Sequence, residues 1–195
     1  KPHVEEVLVD CGFGALQSDI TYQFNDLDHA MEWCENELLA HADIEFDQRV
    51  TLREQFESRT MTRMLDVSIL STYMERVEIP VGEYIAHQGD DPDSLYFIES
   101  GRVDIQLDME HDTPIRLRSM SAGTVIGEVG FYLGRPRSAS IVVTEKGVFH
   151  RLTRTALQKM SEEKPESASG FHIFIACVVA ERLSATNHMV EALIE

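Results

Sequence analysis

Residues 125–141 read VIGEVGFYLGRPRSASI, and this stretch decides how the rest of the chain is read. Gly123 and Gly127 allow close backbone approach, and residues 128–133 have room for one short helical turn that Gly134 ends as a left-handed stop. The start of such a turn points free N–H groups outward, where an anion can be held. Arg137 follows closely enough to fold back over that anion, and Ser138 adds a hydroxyl. Glu128 is out of place beside an anion unless its carboxylate accepts hydrogen bonds from a sugar hydroxyl on the same ligand. An ion pair between Arg137 and Glu128 is the competing reading at this point, because a fold can persist where its ligand has been lost.

N–H groups, an Arg and a ribose-seeking Glu within ten residues suit a nucleotide whose phosphate and ribose lie close together, the shape of a cyclic 3′,5′-monophosphate. The stretch GEVGFYLGRPRSASI resembles the phosphate-binding cassette of cyclic nucleotide-binding domains, the type found in CRP-like regulators, the regulatory subunit of protein kinase A and gated ion channels. The resemblance extends upstream through VGEYIAHQGD at 81–90 and LYFIESGRV at 95–103, and runs from about Met64 to Glu195. It implies Glu128 on the ribose 2′-hydroxyl and Arg137 on the cyclic phosphate. Gly127, Val129 and Ser138 would supply backbone or hydroxyl contacts, with Ile126 and Ala139 close by. In the CRP type the final helix also offers a Thr and a small polar neighbour to the base; AERLSATN at 180–187 is similar, which makes Thr186 and Asn187 the candidates. The implied ligand is cAMP in preference to cGMP, although Ser138 is compatible with either purine.

Around the cassette the pattern is β-rich. Val77, Ile79 and Val81 alternate, and short runs follow at 84–87, 95–98, 103–107, 115–120, 138–143 and 147–153. Turn signals separate them: Gly89 to Pro92, Ser100–Gly101 and His111 to Pro114. Many short strands predict an α+β fold built on an antiparallel β-roll (a jelly roll or double-stranded β-helix) over 77–153, with flanking N-terminal and C-terminal helices. Thr153 or Thr155 caps a helix that Pro165 stops, and a last helix carries Ile175, Val179, Leu183, Thr186, Val190 and Leu193 on one stripe. Phe171, Phe174 and Trp33 read as core. In CRP-type proteins the last helix is a dimer interface, so a homodimer is a possible partner arrangement.

Residues 47–76 read as a helical connector. Before it, 3–11 suit a short helix, Ile20, Tyr22 and Phe24 alternate as a strand, and Leu27, Ala30, Met31, Cys34 and Leu38 share one helix face. FNDLDHAMEWCENELL at 24–39 resembles the last strand and helix of the STAS domain of SulP-type anion transporters, which implies an α/β fragment over 1–46. On that resemblance the chain is the cytoplasmic tail of such a transporter, at the cytoplasmic face of a membrane, with the rest of the STAS domain and the membrane domain as partners. Lys1 in place of an initiating Met, and no signal peptide after it, fit a piece of a longer parent.

Composition narrows the rest. Of 195 residues 17 are Lys or Arg and 34 Asp or Glu, a net charge of −17, the wrong sign for a phosphate backbone, so nucleic acid is not an expected partner. The imbalance is local: residues 2–48 hold 12 acids and no Lys or Arg. No uninterrupted apolar run approaches the ~18 residues of a membrane span. Cys11, Cys34 and Cys177 lack CxxC spacing and read as reduced, buried thiols. No HxxxH or HExxH spacing points to a metal, and no GxSxG or P-loop motif points to catalysis, so the expectation is a sensor and not an enzyme.

Overall fold

A computed structural model describes residues 49–57, 66–109 and 113–194, with side chains as far as His188, and five helical residues of the N-terminal segment, Ala30, Trp33, Cys34, Glu37 and Leu38. The chain divides into two compact units, residues 1–47 and 48–195. In the first, Cys34 is exposed and Trp33 half-buried, so neither the buried thiol nor the core tryptophan expected there is seen. Cys11 and the rest of the helix, strand and helix read over 1–46 lie outside the described residues.

The second unit begins with α1 (Leu52–Glu57) and α2 (Val67–Thr72) and continues through β1 (Glu75–Ile79), β2 (Tyr84–Ala86), β3 (Ser94–Leu107), β4 (Ile115–Ser121) and β5 (Val125–Ile126). The short α3 (Glu128–Leu133) leads to β6 (Ser140–Thr153), and α4 (Arg154–Glu163) and α5 (Pro165–Ile194) follow. All strand pairings are antiparallel, in the order β1-β6-β3-β4, with β2 on β6 and β5 on β3. The architecture is the expected roll with flanking helices.

Two expected breaks are absent. Residues 94–107 form one strand where a turn at Ser100–Gly101 was expected, and 140–153 form one strand in place of two. The glycines explain both corrections. Gly101 has φ +89°, and a Cβ on it would lie 2.6 Å from the Gly147 Cα on the facing strand. The register of β3 against β6 shifts between Ile98 and Val103, so the pair bulges and bends there without ending.

Alternation along β3 supplies two cores. Leu95 and Phe97 face the helices, where Phe97 packs with Phe56 of α1 and with Phe171 and Phe174 of α5 at centroid separations of 5.2, 6.2 and 5.9 Å. Tyr96 and Ile98 face the roll interior with Val103, Ile126, Ile141, Val143 and Phe149. Each fully buried aromatic or branched side chain stabilises by roughly 1.5–3 kcal/mol. The expected connector therefore shares the roll's own core. Thr51 and Glu54 form a reciprocal capping box at the start of α1, and the buried Gln55 amide donates to the Val50 and Ile98 carbonyls at 2.8 and 2.9 Å.

At the other end Thr153 caps α4, its hydroxyl accepting from the Ala156 N–H at 3.1 Å. Pro165 ends α4 and is the first residue of α5. Residues 165–188 are long and apolar enough to cross a membrane by length and composition, with a mean hydropathy of 1.3 over an 18-residue window, but Ala168, Phe171, Phe174, Ile175 and Val178 are buried in the core of the unit. The expected stripe departs from this face: Ile175 is buried, whereas Val179 and Leu183 are 42% and 60% exposed. Strides of four carry the pattern away from a contact face that steps by three. Cys177 is half-buried.

Candidate functional site

A cavity of about 580 Å³, within the usual range for small-molecule sites, lies between the roll and α5. β5 and the start of α3 contribute Ile126, Gly127, Glu128 and Val129; the approach to β6 contributes Arg137, Ser138 and Ala139. Thr186 lines it from α5, whereas Asn187 is exposed and outside the lining. The Thr186 hydroxyl donates to the Arg182 carbonyl at 2.9 Å, within its own helix.

Arg137 is 6% exposed. Its Nη1 donates to the Gly127 carbonyl at 2.8 Å and its Nη2 to the Ser94 carbonyl at 2.5 Å, while the buried Nε–H has no hydrogen-bond partner. Among the described residues no carboxylate forms a salt bridge with it. Burial lowers the guanidinium's pKa, and the charges of Tyr96, Asp93, Asp90 and Glu128 act in the opposite direction. A buried cation held by carbonyls without a direct counter-charge is costly, and an anion at this wall relieves that cost. Gly127 is needed twice over, because it holds φ +78° and a Cβ there would stand 2.5 Å from Nη1 of Arg137.

Glu128 is also buried, at 5% exposure, but its partner is not Arg137. Arg182 of α5 donates from Nη1 to the Glu128 carboxylate and from Nη2 to the Val125 carbonyl, each at 2.5 Å. The cassette ion pair that the sequence allowed is thus replaced by one across 54 residues. Arg182 was missed because a lone Arg among exposed helix positions carries no local signal. Ile105 of β3 and Leu117, Arg118 and Met120 of β4 also line the cavity and were likewise missed, since pairing brings them there from outside the cassette. Of the described residues, no group of three or more metal-ligating side chains is placed to hold an ion.

Residues 76–164 match the family model of the cyclic nucleotide-binding domain. This segment is a cyclic nucleotide-binding domain. The cAMP-dependent protein kinase type II regulatory subunit of Drosophila melanogaster is 38% identical over 63 residues, 32% of this chain and 16% of that protein. Glutaminase 1 of Bradyrhizobium diazoefficiens is 25% identical over 171 residues, 86% of this chain and 27% of that protein, so its alignment reaches well outside the domain. The crystal structure of a cyclic nucleotide-binding domain from Methylobacillus flagellatus superposes with a TM-score of 0.61 at 23% identity, covering 71% of this chain and 82% of that one, and has the same fold. The chain spans less than a third of the length of curated relatives such as these, 16–29%. The donor set of the domain fits a cyclic nucleotide: a cation with an unpartnered N–H, a buried carboxylate and a hydroxyl converge on one cavity.

Proposed function

We propose that this domain is a sensor that binds a purine 3′,5′-cyclic nucleotide and passes its occupancy to an attached protein through α5. The buried Arg137, bonded to carbonyls and in no ion pair, carries the reading: the cyclic phosphate supplies its missing negative charge. Gly127, Val129 and Ser138 line the phosphate, Glu128 and Arg182 face the ribose hydroxyl, and Ile126 and Ala139 pack beside the ligand. The relative named as a cAMP-dependent regulatory subunit favours cAMP. Arg118 on the cavity wall favours a second reading, cGMP, because a guanidinium can donate to both O6 and N7 of guanine.

Titration calorimetry with cAMP and cGMP, on protein shown by mass spectrometry to carry no nucleotide, tests this. Ligand at 100 times its Kd stabilises the wild type by about 2.7 kcal/mol, and Arg137→Ala abolishes both heat and stabilisation. Binding that survives Arg137→Ala removes the phosphate assignment. No binding to either nucleotide makes the domain a scaffold for docking or dimerisation.

What it regulates is proposed from two observations. The stretch at 24–39 supports a STAS domain and hence a SulP-type anion transporter, with this chain on the cytoplasmic face of the membrane. The alignment with Glutaminase 1 over 86% of the chain favours an enzyme as the attached partner instead. In either case ligand acts through its preference for one conformation, and the effect is reciprocal between sites.

A further inference from the structure

A second bridge joins α3 to α5. Glu128 and Tyr132 are four residues apart on α3 and share a face. Glu128 meets Arg182, and Tyr132 meets His172, with the phenol oxygen 2.8 Å from Nδ1 and the two rings nearly perpendicular at 84°. On α5 the two partners stand ten residues apart, about 15 Å along the axis. Beneath the end of α3, Arg154 donates to the Phe131 carbonyl at 2.6 Å and lies 4.7 Å above its ring. The short helix that presents Glu128 is therefore seated on the start of α4 and pinned to α5 at both of its ends.

We propose that Tyr132 and His172 are positioning residues for the nucleotide site: their hydrogen bond holds α5 against α3, so that Arg182 and Thr186 stay in the cavity wall and nucleotide affinity depends on the bond. The inference rests on the cyclic nucleotide reading of the cavity. α5 is held into the core through Val178, and the wall residues lie beyond that point, so a tie at His172 governs the angle at which the helix leaves the core. Burial raises the pKa of the Tyr132 phenol, which remains protonated, and lowers that of His172, which remains neutral at pH 7. The phenol O–H then donates to Nδ1. Tyr132 is the titratable group facing the imidazole from α3, and burial is the cause of the lowered His172 pKa. Protonation of Nδ1 removes that acceptor and can only reverse the bond, with the imidazolium N–H donating to the phenol oxygen, in a setting where burial disfavours the charge.

Calorimetric Kd values for cAMP and cGMP, measured from about pH 8 to about pH 5 on the wild type, Tyr132→Phe and His172→Gln, test this. The wild type loses affinity as pH falls through the lowered His172 pKa. Tyr132→Phe, which keeps the ring packing, binds about 3- to 10-fold more weakly at pH 7.5 and loses that pH step. His172→Gln, whose amide oxygen can still accept, binds within about twofold of the wild type at pH 7.5 and also lacks the step. Equal or tighter binding by Tyr132→Phe, or a pH step that survives in both variants, overturns the proposal. An NMR titration of the His172 ring separates the failures. If it titrates identically in wild type and Tyr132→Phe, the bond does not form in solution and the proposal fails whatever the nucleotide does. If the bond forms but neither nucleotide binds, the proposal falls with the nucleotide reading.

Discussion

The cavity has two walls of opposite character. The roll wall is built mainly from one run of chain, 125–139, whose shape is fixed by left-handed glycines and whose inner residues Ile126, Glu128, Arg137 and Ala139 are buried, with Ile105 of β3 and Leu117, Arg118 and Met120 of β4 beside it. The helix wall is the part of α5 beyond Val178, where Val179 and Leu183 are exposed and Arg182 crosses to reach Glu128. A wall built on enforced backbone geometry keeps its form without ligand. A helix end whose described apolar side chains Val179 and Leu183 face solvent can be moved at a smaller cost than that wall, which is what a sensor requires of its reporting element.

The largest expected effect tests the rigid side. A Cβ on Gly147 would lie 2.0 Å from the Ser100 carbonyl oxygen, so Gly147→Ala forces β3 and β6 apart. The expected loss is at least about 3 kcal/mol by urea unfolding, with the m-value unchanged. An effect under about 1 kcal/mol means that the strand crossing is as pliable as the helix, and the contrast between the walls disappears.

The two walls also differ in how far the sequence reveals them. The left-handed stop at Gly134, the cap at Thr153 and the strand alternation around Phe97 and Ile98 are local features, and local chemistry specifies them. The same holds for the clustering of Arg137 and Glu128 in one cavity, because ten residues of chain span both. The continuity of β3 through Ser100–Gly101 was hidden, since a Ser-Gly pair reads as a turn unless the facing Gly147 is known. Arg182 was hidden for the same reason at longer range. Its role comes from a carboxylate on another element, and helical spacing alone places Thr186 and Asn187 beside it without saying which way their polar groups turn.

A smaller effect sharpens the difference at the seam. Arg182→Ala leaves the Glu128 carboxylate buried without its partner; since Arg182 itself is 24% exposed, the cost is discounted to about 1–3 kcal/mol. The double variant with Glu128→Gln recovers part of it, because a neutral amide needs no counter-charge. If Arg182→Ala and the double variant are equally destabilised, the ion pair is incidental to the seam and the other contacts of α5 hold it there.

The smallest effect concerns the outer face of the helix wall. Leu183 is 60% exposed and Val179 42%, so Leu183→Ser costs the folded monomer no more than about 0.5 kcal/mol. If α5 pairs with a second copy of itself, those same side chains are buried in the dimer, and the variant shifts the monomer–dimer midpoint in sedimentation while leaving dilute-solution stability unchanged. The two measurements must diverge for the dimer to stand, since stability that depends on a partner depends on concentration, and stability from the chain's own core does not. A variant that sediments as the wild type at every concentration assigns the exposed stripe to the attached protein or to solvent, and leaves the side of α5 that contacts α3, with Arg182 and His172, as the one that responds to ligand.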